Sequence, residues 1–520
     1  MEPLEKLIIN RIPALMILSR YTLRNVNLQA AIVPEEALFE LPEKVLQFGT
    51  GVLLRGLPDY FIDKANRQGI FNGRIVVVKS TSHGDTSAFD KQDGLYTLCV
   101  RGLQGGEVVE ENIINSSISR VLSASEEWKQ VLECAHNRNM QVIISNTTEV
   151  GIKLEPDDVR QHPPKSFPGK LLSFLFERYT AFGGSAHSGM VIVPTELIPD
   201  NGTKLQAIVL ELAHLNGLSE AFIEWIETCN RFCNSLVDRI VPGKPESVIQ
   251  PTVEESLGYK DDLLTMSEAY RLWAIEGDEQ IKEVLSFAAA DEGVVIEPNI
   301  DIYRELKLRM LNGTHTLSCG IAFLAGFETV KEAMDDTVAG FIHDIMHNEI
   351  APNIPYTINP DTARVFGDAV LDRFRNPLIK HQWISITMNY SSKMRLRCIP
   401  VLLKHYESSD TALELFALGF AAYIYFMKGV TVRDGKYYGE LNGASYLIQD
   451  DQAEIFYKRW AGLSIVALVK EVLKDVSFWG SDLNALPRFT EAVTEKLSII
   501  INSGVKEAIE TTYSKKGLAA

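Results

Sequence analysis

The chain has 520 residues and a formal net charge of −17, and it is 46% hydrophobic and 23% charged. That composition excludes a disordered chain and gives enough length for two or three domains with sizeable cores. The acidic balance argues against nucleic acid or an anionic membrane as the main partner, since either needs a basic surface, and favours a small-molecule substrate.

Residues 1–40 form a leader that carries acids early and lacks both a basic-then-apolar layout and a small-residue cleavage site. They predict a cytoplasmic protein, with Met16 as an alternative start. Residues 43–48 are a short apolar strand that ends in Phe48 and runs into Gly49, Thr50 and Gly51 and then an amphipathic stretch through Asn66. In such a strand, turn and helix, the glycines let the backbone approach a pyrophosphate, whose charge is favoured at the helix N-terminus. The spacing is G-x-G-x-x-x-R-G, with Arg55 and Gly56 where the third glycine is displaced. Residues 74–79 are a second apolar strand at the remove of a βαβ unit. It ends in Lys79, Ser80 and Thr81, without the acid that usually binds the ribose hydroxyls, so NAD and NADP both stay open and Lys79 tolerates a 2′-phosphate.

Two further buried-type strands end in polar tails: residues 141–145 in Asn146, Thr147, Thr148 and Glu149, and residues 190–193 in Pro194, Thr195 and Glu196. Ligands of open α/β sheets sit at such carboxyl ends. Strands alternate with helices up to about residue 245, which predicts an α/β, Rossmann-type, mostly parallel domain over residues 41–255. Cys229 and Cys233 stand four apart and read as packed helix residues, and six cysteines without repeated spacing suggest a reducing compartment. Helix-length patterns at 278–289, 303–325, 328–349, 363–375, 411–428, 452–474 and 487–510 predict a mainly helical domain over residues 256–510, followed by a tail. The apolar run 415–427 is too short for a bilayer and predicts a buried helix. A hairpin is expected at 430–438, turning at Asp434-Gly435.

Chemistry concentrates in residues 303–316. Lys307, Asn312 and His315 recur there at i, i+5 and i+8, which puts them within an arc of about 140° on a helix, with Lys307 and His315 about 12 Å apart along the axis. Taken singly, each belongs to an ordinary amphipathic helix. Taken together, with Gly313 among them suggesting close approach of a ligand or backbone, they suffice for alcohol oxidation without metal. A desolvated lysine takes the hydroxyl proton as hydride leaves, and the other two hold the developing oxyanion. A rival pair, His343 and His347, stands at i, i+4 on one helix face and would suit a metal-dependent hydrolase or isomerase, but it lacks the glutamate of the zinc-protease motif and an obvious third ligand. Asp238-Arg239 reads equally as an ion pair or a pocket lining. In residues 391–397 an extended chain puts Lys393, Arg395 and Arg397 on one side, suited to a carboxylate, and solvent exposure is the alternative.

Four motifs in order, Phe48-Gly49-Thr50-Gly51 with Arg55, Asp238-Arg239-Ile240-Val241-Pro242, Lys307-x4-Asn312-x2-His315 and Arg373-Phe374-Arg375-Asn376-Pro377, resemble the long-chain mannitol dehydrogenase family of polyol and aldonate oxidoreductases. The resemblance runs from about residue 43 to about 490. Within the family, Pro194-Thr195-Glu196-Leu197-Ile198 with Asn201-Gly202 looks most like the branch acting on D-tagaturonate and D-altronate, whereas polyol-oxidising members tend to carry Asp-Asn where Glu196-Leu197 stand. The resemblance implies NAD as cofactor and no metal, Lys307 as general acid–base, and Asn312 and His315 polarising the C–O group. It also implies a substrate region that includes Glu196, Asp238 and Lys393, and from the spacing of the basic segment Lys393 with Arg395 or Arg397 is expected to meet a uronate carboxylate. The expected assembly is a monomer or small homo-oligomer. A mannitol/fructose or fructuronate/mannonate dehydrogenase is the closest alternative activity.

Overall fold

The computed structural model describes residues 15–81, 85–147 and 151–516. The chain divides into two compact units, one built from residues up to Arg101 with Val109–Ile300, the other from Gly102–Val108 with the residues from Asp301 onward.

The first unit is organised on six parallel strands: β1 (Glu43–Phe48), β2 (Arg74–Lys79), β3 (Ile118–Ser123), β4 (Val142–Ser145), β5 (Val191–Pro194) and β6 (Arg231–Phe232), in the spatial order β3-β2-β1-β4-β5-β6. The central residues of β1, β2 and β4 are mostly apolar because both faces of the sheet are covered. Val45, Ile75, Val77 and Ile144 enter one core with Phe61 and Trp273. Their neighbours Leu46, Val76, Val78 and Ile143 enter the other with Trp128, Leu171 and Phe222. Phe48 pairs with Val78 on one side and Ser145 on the other, so β1, β2 and β4 end level. The strand order reverses between β1 and β4, which opens a crevice at their carboxyl ends.

This unit continues to Ile300, past the break expected after residue 255. Thr265–Glu268 adds to the strand Tyr96–Gln104, and Ser235–Asp238, Leu272–Glu276 and Val294–Glu297 make a small mixed sheet. These strands are four or five residues long, too short for a periodic signal, yet they carry Trp273, which stacks between Phe61 and Phe287. The described part of the leader is also built in: Leu18, Ala31 and Phe39 pack with Leu95, Ile114 and Tyr259, and Arg74 donates to the Phe39 carbonyl at 3.1 Å. Cys229 and Cys233 do not share a helix, since β6 lies between them, and all six cysteines are free thiols.

The second unit is mainly helical. The apolar run forms the buried helix Glu414–Phe426, and among the described residues no helix is long and apolar enough to cross a membrane. This helix crosses Asn312–Leu324 at Gly419, where a Cβ would lie 2.8 Å from the Leu317 carbonyl oxygen. Only glycine permits that approach. The expected hairpin forms, with Arg433 opposite Lys436 and left-handed Asp434 and Gly435, and a second turn at Asn442-Gly443 adds a third strand, Ala444–Leu447. Helix 452–474 is broken by Ser464, which caps a new helix from Ile465. The last helix runs to Lys516 through a left-handed Gly504, so the described part of the expected tail is helical.

Beneath the β1 turn lies Asp59, fully buried, with Oδ2 3.5 Å from Gln47 Nε2 and Oδ1 without a hydrogen-bond partner. Burial pushes its carboxyl from 3.8 up to about 8, with Gln47 and Arg55 opposing. Between those values the folded protein holds a proton that the unfolded chain has lost. The contribution of Asp59 to stability is therefore fully present below pH 3.8 and falls, by up to about 1.4 kcal/mol per pH unit, as pH rises to 8. Asp59→Asn mimics the protonated side chain. Its melting temperature relative to the parent protein should rise steadily in melts from pH 5 to pH 8, and a difference that does not change with pH would refute the assignment.

Candidate active site

In the first unit the turn after β1 is shaped for a phosphate. Gly49 has φ +130°, and a Cβ there would lie 2.9 Å from Leu54 Cδ1 and 3.0 Å from the Asn146 carbonyl oxygen. The residue must be glycine for the chain to leave β1 past the end of β4. Gly51 precedes the helical turn Val52–Gly56, and nothing stands within 4 Å of where its Cβ would be. A Cβ at Gly56 would lie 2.8 Å from both Val241 methyls, so the glycine lets the helix pack there. One glycine makes the turn, one leaves open space and one packs the helix, which are the roles a dinucleotide site requires. Phe48 closes the strand end against Phe167 at 5.3 Å, and Thr50 is half-buried between the glycines.

The neighbours of this turn divide into two groups. Lys79 is buried at the end of β2, and the buried Ser80 Oγ has no hydrogen-bond partner among the described residues. Arg55 is turned inward instead. It donates to the Leu263 carbonyl at 2.6 Å between the Phe89 and Tyr96 rings, so its guanidinium is engaged within the unit rather than open to a cofactor as its place in the glycine motif suggests. Glu196 is likewise engaged: its Oε1 accepts from the Thr147 N–H (2.8 Å) and hydroxyl (3.0 Å), and its Oε2 from Ser145 Oγ (3.2 Å). It fixes the loop after β4 rather than standing open for a substrate. Burial raises its pKa against those hydrogen bonds. Thr148 and Glu149 lie outside the described residues. Asp238 is buried opposite Leu272, and Arg239 bonds carbonyls, Gly56 at 2.6 Å and Glu268 at 3.0 and 2.9 Å, so it ties the glycine turn to the unit behind it.

In the second unit the helix carrying Lys307, Asn312 and His315 is not uniform. Asp301–Leu306 passes into a π-helical turn, Lys307–Leu311, before α-helix resumes at Asn312. Each N–H of a π turn reaches back five residues, so Lys307 and Asn312 stand nearer one above the other than the regular spacing predicts. Both are half-buried. A Cβ at Gly313 would sit in ordinary contact, 3.7–3.8 Å from the Leu308 and Arg397 carbonyl oxygens, so the glycine is not sterically required. Arg309 pairs with Glu305 at 2.9 Å and donates Nη1–H to the carbonyls of Leu396 (2.6 Å) and Arg397 (3.0 Å). Those carbonyls belong to a second π turn, Met394–Cys398.

His315 is buried. Its ring stacks on Phe374 (4.2 Å, 14°) and meets the edges of His381 (5.1 Å) and Trp383 (6.1 Å). Its Nε2 has no hydrogen-bond partner among the described residues. Burial first, then the positive fields of His381, Arg373, Arg397 and Lys393, hold its pKa well below 6.5, so the ring is neutral. Lys393 donates Nζ–H to the Ile386 carbonyl at 2.8 Å, and burial, aided by Arg397, lowers its pKa. The basic segment is helical rather than extended. Arg397 therefore shares the side of Lys393, while Arg395 is exposed with its guanidinium 5.5 Å from the Phe478 ring centre.

Sequence patterns did not single out His381, Trp383 or Phe374 as neighbours of His315. Phe374 was visible only as part of the Arg373 motif, and the other two lie in an aperiodic stretch. The rival histidines sit with rings 4.8 Å apart; His343 Nδ1 is 2.8 Å from Asp344 Oδ1, and His347 Nε2 is 3.5 Å from Asp368 Oδ1. Among the described residues no three His, Cys, Asp or Glu side chains converge as a metal site.

Comparison with known proteins agrees with this division. Residues 43–286 match the mannitol dehydrogenase Rossmann domain and residues 299–501 the mannitol dehydrogenase C-terminal domain. The chain is 39% identical over 477 residues to an altronate oxidoreductase of Bacillus subtilis, covering 91% of this chain and 95% of that protein. It is 37% identical over 480 residues to an altronate oxidoreductase of Shigella flexneri, covering 90% and 97%. Its fold is shared with Pseudomonas fluorescens mannitol 2-dehydrogenase, solved with NAD and D-mannitol (TM-score 0.65, 21% identity, 96% of this chain and all of that one). It is shared too with a D-sorbitol dehydrogenase (TM-score 0.72, 20% identity, 95% and 100%). On both halves of its length, this chain belongs to the mannitol dehydrogenase family.

Proposed function

We propose that this protein is a cytoplasmic, NAD-dependent oxidoreductase that interconverts D-tagaturonate and D-altronate, with Lys307 as general acid–base. The observation that carries the sugar-acid reading is the positive surround of His315, supplied by Arg373, Lys393 and Arg397 in a chain of net charge −17. A neutral polyol has no use for that charge; a uronate or aldonate carboxylate does. The altronate oxidoreductase relatives support the same substrate pair.

Gly49, Thr50 and Gly51 would hold the pyrophosphate, with Phe48 and Thr147 beside it and Lys79 and Ser80 toward the ribose. NAD, when bound, accepts hydride from the secondary alcohol or returns it to the ketone. In oxidation, Lys307 Nζ takes the hydroxyl proton as the C–H hydride leaves; in reduction it returns that proton to the new alkoxide oxygen. Asn312 offers its side-chain amide to this oxygen and His315 an imidazole N–H. Because His315 is neutral and resists protonation, it supports the oxyanion without competing with Lys307 for the proton. The surrounding positive charge favours the alkoxide further.

NADH oxidation with D-tagaturonate, against D-fructose as control, tests the substrate. Tagaturonate should be turned over far better, and the reverse order would overturn the substrate while leaving the mechanism. Lys307→Ala should lower turnover by about 10²–10⁴-fold with NADH binding intact, and near-parental activity would remove the lysine from its role. Gly51→Ala should behave oppositely: its methyl enters open space, so the melting temperature holds while NADH binding weakens.

A further inference from the structure

We propose that Arg397 is the residue that grips the substrate carboxylate and sets the preference for sugar acids over neutral sugars. The inference rests on the sugar-acid reading of the site and assigns the part of it that the sequence left between two arginines.

The guanidinium is half-buried, and its one side-chain hydrogen bond is from Nη1–H to Thr316 Oγ1 at 3.2 Å. It forms no ion pair among the described residues, and the groups that act on it electrostatically are the thiols of Cys398 and Cys319, not carboxylates. A guanidinium drawn out of water without a counter-ion is unfavourable unless an anion completes it, and its planar fork suits a carboxylate bound through two N–H groups. Its position is equally specific. Thr316 stands one turn after Asn312 and donates its hydroxyl to the Asn312 carbonyl at 2.7 Å. Arg397 thus reaches the helix face that carries Asn312, and its charge is felt at His315, whose buried Nε2 has no partner.

The fork is also held in place. Arg309 donates to the carbonyls of Leu396 and Arg397, and Cys398 Sγ lies 3.8 Å from the Gly313 carbonyl oxygen, so the π turn carrying Arg397 is tied to the π turn carrying Lys307. Lys393, by contrast, is a point charge with Nζ already bonded to a carbonyl, and Arg395 faces solvent over Phe478.

The test is steady-state reduction of D-tagaturonate by the parental protein and by Arg397→Gln, Arg397→Lys and Arg395→Gln, with thermal melts of each. Loss of a charge-assisted, two-pronged hydrogen bond predicts that Arg397→Gln raises KM for tagaturonate about 10- to 100-fold, with kcat much less affected. Arg397→Lys should recover part of the loss, since it restores charge but not the fork, and Arg395→Gln should match the parent. Unchanged KM in the Arg397 variants, or a raised KM in Arg395→Gln alone, overturns the assignment while the sugar-acid reading stands. A parental protein that turns over no sugar acid overturns both. If Arg397→Gln fails to fold, the folded Arg397→Lys decides: a raised KM for tagaturonate supports the assignment and a parental KM refutes it.

Discussion

Burying a neutral histidine within the positive fields of Arg373, Lys393 and Arg397 is the constraint on which the site in the second unit depends. His315 packs flat on Phe374 and edge-on to Trp383, and its buried Nε2 has no hydrogen-bond partner among the described residues. An unfilled polar atom costs about 1–3 kcal/mol in a folded interior, a cost that a hydrogen bond to a bound ligand would recover. Arg373, Lys393 and Arg397 add a field that resists protonation of the ring. Burial and charge act in the same direction on the imidazole, so the ring stays an uncharged hydrogen-bonding group.

Holding such a set together requires rigid backbone. The helix that carries it is pressed against the buried helix Glu414–Phe426 at Gly419, where a single methyl would collide with the Leu317 carbonyl oxygen. Two π turns bring Lys307 over Asn312 and turn Arg397 toward Thr316, and Arg309 links the turns by donating to carbonyls in the second. The first unit applies the same economy to the glycine turn. Arg239 anchors the Gly56 carbonyl and Glu196 locks Thr147, so charged residues beside the crevice serve to shape it.

Much of this was legible in the residues. Strands buried on both faces announced the parallel sheet, and Lys307, Asn312 and His315 declared a shared face. What was missed follows from physical causes. The short strands from Thr265 to Glu297 carry too few residues for periodicity, so the sequence pattern ends the first unit too early. Lys393, Arg395 and Arg397 alternate as a strand would, but tertiary packing makes them helical, and i, i+4 geometry selects Arg397 over Arg395. Arg55 and Glu196 have the charge of ligands, yet their roles depend on partners at Leu263 and Thr147, contacts that no local pattern encodes. The π turns are invisible to a regular helical count.

The state of His315 is the most direct test of the account. Nitrogen-15 NMR of histidine-labelled protein, with the His315 resonance assigned by its loss in His315→Asn, would report the charge and hydrogen bonding of the ring. The account predicts a neutral imidazole at pH 6, below its ordinary value of 6.5, and a shift at Nε2 when D-altronate is added. An imidazolium at that pH, or a ring nitrogen unmoved by saturating sugar acid, would contradict it.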